Sequence, residues 1–401
     1  MLPQKYLLVV GGPTASGKTA LAIQLAQRYR TVILSADSRQ FFREMSIGTA
    51  KPSPTERAAA PHYFIDSHSI EAPYSVGDYE REALAQLRDC FTRHDIVVLV
   101  GGSGLYLQAV CEGFDDFPAV DPQHREALQQ LWQTEGLSAL QDELATADPE
   151  YFATVDRHNP QRLIRALEVY RSTGKPFSHY RQRSKRPSFF QAIYLFPHWP
   201  REVLYRRINQ RVEQMMAAGL VDEARRLYPY RHHHALQTVG YRELFAHFDG
   251  EYDLPTAVAL IQRNTRRFAK RQLTWNRRLG YGKHFTEALL PWLPTYLSYA
   301  MHYGQQLYWE RGAKVGHSQL SWRGTPSAVP HLTTVAQRQD LLVRAGRPSE
   351  RAPDAPLQYL LIHELHCRFP DRRLVFDLPS DWEASTRYFR DGTAPPGSAP
   401  T

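Results

Sequence analysis

Residues 12–19 read Gly-Pro-Thr-Ala-Ser-Gly-Lys-Thr, the G-x-x-x-x-G-K-[ST] spacing of a loop that holds phosphates. Glycines let backbone N–H groups close on phosphate oxygens, the following helix adds its partial positive charge, and Lys18 and Thr19 offer an ammonium and a Mg²⁺ ligand. Gly12, Pro13, Thr14, Ala15, Ser16, Gly17, Lys18 and Thr19 are therefore the expected diphosphate cradle, with Thr19 the expected metal ligand. Most phosphate-loop hydrolases end a later apolar strand in an acidic residue that helps hold Mg²⁺ for attack on a terminal phosphate. Here Ile96-Val97-Val98-Leu99-Val100 runs into Gly101-Gly102-Ser103-Gly104, and Asp95 stands at the opposite end. A carboxylate does follow the neighbouring apolar run, in Ser35-Ala36-Asp37-Ser38-Arg39-Gln40. There it is placed either to act as general base on a second substrate or to close a turn.

The elements that must position these groups alternate along the first hundred residues. Apolar strand patterns occupy 6–10, 31–34, 62–65 and 96–100, with helical spacing after Gly17 and over 76–93, where Ser75 and Asp78 form a capping box. Alternating strands and helices predict a parallel, doubly wound sheet with its site at the carboxyl ends of the strands, where all three motifs fall. From 117 to 188 the strand pattern stops in favour of helices over 121–134, 137–146 and 159–172; residues 189–196 resume the sheet, and 200–280 read as helix. The expected fold is thus α/β, a P-loop NTPase-like parallel sheet core flanked by helices (1–116 and 189–285). It carries an inserted helical domain (117–188) and an appended C-terminal segment (286–401). Pro and Gly clusters in that segment predict loops with a small α+β unit and a disordered end.

Composition narrows the partner. The net charge is +8. Arg263, Arg266, Arg267, Lys270, Arg271, Arg277 and Arg278 fall on one stripe of a helix whose other face carries Val258, Ile261, Phe268, Gln272 and Trp275. A stripe of one sign predicts a polyanionic partner such as nucleic acid. Three scattered cysteines, no signal peptide and no apolar run of ~18 residues predict a cytoplasmic protein without a membrane span.

Six blocks in order resemble the tRNA dimethylallyltransferase (tRNA isopentenyltransferase) family. They are residues 12–19; Ser35 to Gln40 with Gly48-Thr49-Ala50-Lys51-Pro52; Val100 to Tyr106; Asn159-Pro160-Gln161-Arg162-Leu163-Ile164-Arg165-Ala166-Leu167-Glu168; Val239-Gly240-Tyr241-Arg242-Glu243; and Ala269-Lys270-Arg271-Gln272-Leu273-Thr274-Trp275. The resemblance covers about residues 6–278. It implies transfer of a dimethylallyl group from its diphosphate to the exocyclic N6 amine of the adenosine 3′ of a tRNA anticodon. Diphosphate is then the leaving group of a carbon-centred substitution, and the target base must be flipped out of its stack. By resemblance Asp37 is the general base, Lys18 and Mg²⁺ stabilise the departing diphosphate, and Ser103 stands where the family usually has threonine. Asp37, Ser38, Arg39, Gln40, Ser103, Arg125, Gln161, Arg162, Leu163, Ile164, Arg165, Gly240, Tyr241, Arg242, Lys270 and Arg271 are the residues it implies at the tRNA anticodon stem-loop. The inserted domain is implied to clamp the stem, and the protein is expected to act as a monomer. Arg207 and Arg211, one helical turn apart, read equally well as anion contacts or as surface arginines. Two rivals share parts of the pattern: a small-metabolite kinase, which lacks its acidic strand end here, and an RNA-binding protein without chemistry, which leaves Asp37 idle.

Overall fold

A computed structural model describes residues 5–113, 115, 117, 118, 120–181, 188–197 and 199–278, with segments 283–285, 307–311, 317–322, 332–337, 340–345 and 373–377 and positions 293 and 297. Two compact units divide the chain, Met1–Cys111 with Phe189–Thr401 and Glu112–Ser188.

In the first unit the elements run β1 (Tyr6–Gly11), α1 (Lys18–Tyr29), β2 (Ile33–Ser35), α2 (Pro54–Ala59), β3 (His62–Tyr63), α3 (Val76–Arg93), β4 (Ile96–Gly101) and α4 (Gly104–Glu112). The strands form one parallel sheet in the order β3-β2-β4-β1, continued by β5 (Gln191–Pro197) and β6 (Lys283–Phe285). Such a sheet is covered on both faces, which is why β1 and β4 read as unbroken apolar runs; Leu7, Leu8, Val9, Val10, Val97, Val98 and Leu99 are all fully buried. Each such side chain contributes about 1.5–3 kcal/mol relative to exposure. The capping box expected for α3 is present, with Ser75 Oγ accepting from Asp78 N at 3.2 Å. β3 is shorter than its pattern suggests because Phe64 turns into the left-handed region at φ 63°.

Register explains how distant motifs meet. β4 lies between β1 and β2, with Val10 opposite Val100 and Ser35 also opposite Val100. Strands are about 4.8 Å apart. The chain leaving β1 into the phosphate loop and the chain leaving β2 toward Asp37 therefore start about 10 Å apart, on the same edge of the sheet. Gly101 makes that edge possible: a Cβ there would lie 2.3 Å from the Ala36 carbonyl oxygen.

The same unit continues with α10 (Arg201–Ala217), α11 (Leu220–Leu227), α12 (Tyr241–Phe248) and the 25-residue α13 (Leu254–Arg278). Val212, Leu220, Leu227, Leu244, Phe245, Ala257 and Ile261 form a core of their own with Phe42, Met45 and Ile70.

The second unit holds α5 (Pro122–Glu135), α6 (Leu137–Ala147), α7 (Pro149–Thr154), α8 (Pro160–Thr173) and α9 (Phe177–Tyr180). Asp121, Asp148 and Asn159 cap α5, α7 and α8. Its core is Leu128, Leu140, Leu144, Leu163, Ile164, Ala166 and Leu167.

Beyond β6 the described residues of the appended segment are mostly strand. Five strands, β7 (Leu307–Arg311), β8 (His317–Trp322), β9 (Leu332–Gln337), β10 (Asp340–Ala345) and β11 (Arg373–Asp377), form a second sheet. Its pairs are antiparallel except β10 with β11. Each strand has five or six residues, too short for its alternation to stand out. The run 357–362 and the end expected to be disordered lie outside the described residues.

Candidate active site

A cavity of about 540 Å³ opens at the carboxyl edge of the sheet, and both candidate centres line it: Thr14, Ala15, Ser16, Gly17, Lys18 and Thr19 on one side, Asp37, Ser38, Arg39 and Gln40 on the other. Ser103 and Gly240 are in the same wall. Gly12 and Pro13 stand behind it and are buried. Pro13 has no N–H to offer a phosphate, and its carbonyl instead accepts from Ser16 N at 3.3 Å and Lys18 Nζ at 3.2 Å. The loop turns tightly, with Ala15 at φ 62° and Gly17 at φ 87°, and opens into α1 with no side-chain cap. The first amides of α1 are thus left for an anion.

The charge around the loop is crowded. Burial, with the Arg211 guanidinium beside it, pushes the Lys18 ammonium down to about 8, against the pull of Asp37. Burial also lowers Arg211, opposed by Asp37 and Glu56. Arg207 and Arg211 both reach the loop: Arg207 Nε donates to the Ala15 carbonyl at 2.9 Å and Arg211 Nη1 to Thr14 Oγ1 at 3.3 Å. The two arginines are therefore packed against the phosphate loop and line the cavity. Desolvated cations beside the first amides of a helix favour a polyanionic ligand. Thr19, Asp37 and Glu56 are among the hard oxygen donors in this wall, donors of the kind Mg²⁺ takes from a protein, one or two at a time, completing its shell with water and substrate phosphate.

Asp37 closes a turn and faces the cavity as well. Its Oδ1 accepts from Arg39 N at 3.0 Å, and Oδ2 makes no hydrogen bond among the described residues. Ser103 ties the β4 end to this loop, its Oγ accepting from Ser38 N at 3.2 Å and donating to Ser38 Oγ at 3.1 Å. Gln40 is a brace: its Nε2 donates to the Thr49 and Ala50 carbonyls at 3.2 and 3.1 Å.

The glycines after β4 explain the missing acidic residue. A Cβ on Gly102 would lie 2.4 Å from Gln272 Nε2, and one on Gly104 would lie 1.8 Å from Trp275 Cδ1. That space belongs to α13, whose buried Gln272 donates to the Gly102 carbonyl at 2.9 Å and accepts from Thr14 N at 2.9 Å.

Several expected RNA contacts are placed elsewhere. Tyr241 is fully buried, its hydroxyl donating to Glu223 Oε1 at 2.6 Å, while the Glu223 carboxylate also accepts from Ser46, Ile47 and Gly48 N at 2.8–3.1 Å. Its side chain holds a loop and meets no partner surface. Leu163 and Ile164 are fully buried in the core of the second unit. In that unit Arg125 and Arg165 converge on Glu168, which is 1% exposed, at 3.1 and 2.6 Å, with Gln161 Oε1 accepting from Arg125 at 3.4 Å. Gln161 and Arg162 are exposed there; Arg242, Lys270 and Arg271 are exposed on the first unit, outside the cavity wall. Phe268, expected on the packed face of α13, is 37% exposed because that face passes from the core at Ile261 to the open cavity at Phe268. Arg277 and Arg278 have side chains outside the described residues.

Sequence reading missed three features. Trp199 Nε1 donates to the Ser16 carbonyl at 2.8 Å with Arg207 stacked on its ring, and no local signal marks it. Ile208, Val212, Met215, Leu220, Val239 and Ile261 give the cavity an apolar wall assembled from four separate segments. The bridging role of Gln272 had one signal, an uncharged amide in the midst of a basic run.

Among the described residues no helix is long and apolar enough to cross a membrane. The sequence model of a family described as IPP transferase matches residues 40–279, more than half of the chain. A tRNA dimethylallyltransferase of Christiangramia forsetii is 53% identical over 273 residues, covering 68% of this chain and 90% of the relative. A crystal structure of the full-length tRNA isopentenylpyrophosphate transferase of Bacillus halodurans is similar at TM-score 0.56 and 33% identity, covering 75% of this chain and 97% of that one. A eukaryotic dimethylallyltransferase, solved acting on tRNA, shares the fold at TM-score 0.61 and 24% identity over 75% of this chain and 79% of its own. A phosphate loop without its acidic partner strand, an aspartate across the cavity from it and relatives matched over nearly their whole length lead to one assignment: this chain belongs to the IPP transferase family.

Proposed function

We propose that the protein is a tRNA dimethylallyltransferase, moving the dimethylallyl group of dimethylallyl diphosphate onto the N6 amine of the adenosine 3′ of the anticodon. The observation that carries this reading is the shared cavity, which Lys18, Thr19 and Asp37 all line. The adenine amine is a poor nucleophile because its lone pair is delocalised into the ring. As the bond from N6 to C1 of the prenyl group forms, the C1–O bond breaks and its electron pair leaves on diphosphate; the N6 proton passes to the Asp37 carboxylate. A positioned base of this kind accelerates transfer roughly 10²–10⁴-fold.

Lys18, Arg211 and the loop amides meet the negative charge that grows on the leaving diphosphate, in a half-buried site where such donors are worth more than in water. Thr19 would hold a Mg²⁺ ion, which would supply further stabilisation of the charge on the leaving group. The apolar wall from Ile208 to Phe268 receives the five-carbon chain. A flipped adenine enters from the open side, and the exposed Lys270 and Arg271 hold the phosphates of the anticodon stem-loop. In the second unit Arg125 and Arg165, fixed in direction by Glu168, and the exposed Gln161 and Arg162 are offered to RNA.

The test is product analysis. Protein, Mg²⁺, dimethylallyl diphosphate and an unmodified anticodon stem-loop should yield N6-isopentenyladenosine after nuclease digestion and mass spectrometry. Adenosine left unmodified at that position, with ATP hydrolysed instead, would favour the kinase reading.

A further inference from the structure

The buried amide of Gln272 joins two loops that the reaction must keep in register. Its Oε1 takes the Thr14 amide of the phosphate loop, and its Nε2 takes the Gly102 carbonyl at the end of β4, both at 2.9 Å. One residue on, Ser103 holds Ser38, the neighbour of Asp37. Hydrogen bonds, joined through the Gly102–Ser103 peptide link, thus run from the diphosphate cradle through α13 to the loop that carries the base. No other side chain bridges Thr14 and Gly102 among the described residues, and Gly102 is a glycine at the point where a Cβ would meet Gln272 Nε2 at 2.4 Å.

We infer that Gln272 is a positioning residue: it sets the spacing between the diphosphate leaving group and the Asp37 carboxylate without touching either substrate. This rests on the transferase reading above. The amide is suited to the task because it offers a donor and an acceptor in one rigid plane at every pH; an ionised glutamate keeps the acceptor but sets a second oxygen against the Gly102 carbonyl. A displacement of about 1 Å in such spacing costs on the order of 10²-fold in rate while leaving binding largely intact.

The test uses the full-length protein with saturating dimethylallyl diphosphate and anticodon stem-loop. Gln272→Glu and Gln272→Met are expected to lower single-turnover transfer about 30- to 100-fold. Affinity for inorganic diphosphate and for the stem-loop should stay within about threefold. Gly102→Ala attacks the same bridge from its other end, and its backbone accepts alanine because no left-handed φ is required there. It should lower the rate similarly, and the double variant Gln272→Met with Gly102→Ala should be no slower than either single one, since residues acting as one unit are not additive. Unchanged rates in the single variants would overturn the proposal, as would a rate loss matched by an equal loss of diphosphate affinity or additive losses in the double variant. If the wild-type protein makes no prenylated RNA at all, the transferase reading fails, and that result is separate from any of these.

Discussion

Lys18 gives the site a pH dependence whose direction follows from its surroundings. In the free protein its ammonium is pushed down to about 8, first by burial and then by Arg211. Diphosphate binds the charged form and restores its charge, so binding takes up a proton above that pH. Affinity for inorganic diphosphate should therefore be level with respect to Lys18 below about pH 8. Above it, affinity should fall about tenfold per unit, leaving binding at pH 9 roughly tenfold weaker than at pH 7. The same depressed value acts on stability with the opposite sign: between about 8 and the ordinary 10.5 the unfolded chain binds more protons, so the free protein gains stability as pH rises through that window. Calorimetric titration in two buffers of different ionisation enthalpy measures both affinity and proton uptake. Lys18→Arg stays charged throughout and serves as control, because the titration of diphosphate itself is common to both proteins. Parallel affinity profiles for wild type and Lys18→Arg would refute the reasoning.

Other consequences can be checked separately. Lys270→Ala with Arg271→Ala should flatten the dependence of stem-loop affinity on salt, lowering the log–log slope by about 1.5 for two phosphate contacts; an unchanged slope would place the stripe away from the RNA. Phe268→Ala should raise KM for dimethylallyl diphosphate about 5- to 30-fold, the equivalent of about 1–2 kcal/mol of apolar contact. Inorganic diphosphate binding should not move, and loss of both together would instead point to collapse of the wall. Tyr241→Phe removes one hydrogen bond to the buried Glu223 carboxylate and should cost about 1.5–3 kcal/mol in denaturant unfolding. Stability equal to wild type in that variant would remove Tyr241 from its place holding the loop at Gly48. Gly104→Ala drives a Cβ into Trp275 and should destabilise by about 1–3 kcal/mol or displace α13; an unperturbed variant would contradict the close packing there.

Local signals carried much of this arrangement. The phosphate loop, the alternation that builds a parallel sheet and the Ser75–Asp78 box each depend on neighbours within a few residues, and each stands where its spacing placed it. What was not legible is long-range. β4 lies between β1 and β2 only once the sheet is assembled, and that is what brings Asp37 to the cradle. Gln272 and Thr14 are 258 residues apart, and Glu223 reaches Gly48 across 175, so no window of sequence contains either pair. Tyr241 looked like a contact residue because its block matched the family, yet a conserved-looking motif is equally well used in holding a loop from within. On α13 the exposure of Lys270 and Arg271 follows the stripe and that of Phe268 does not, since helical periodicity tells which residues share a face but not where that face leaves the core and borders a cavity.

Prenyl transfer at this site turns on Asp37 acting as the base opposite the diphosphate cradle. The direct measurement is the single-turnover rate of prenyl transfer by Asp37→Asn, with dimethylallyl diphosphate and unmodified stem-loop both saturating and their affinities measured alongside. The expected result is a rate about 10²–10⁴-fold below wild type with both affinities within about threefold. A rate near that of wild type would contradict it.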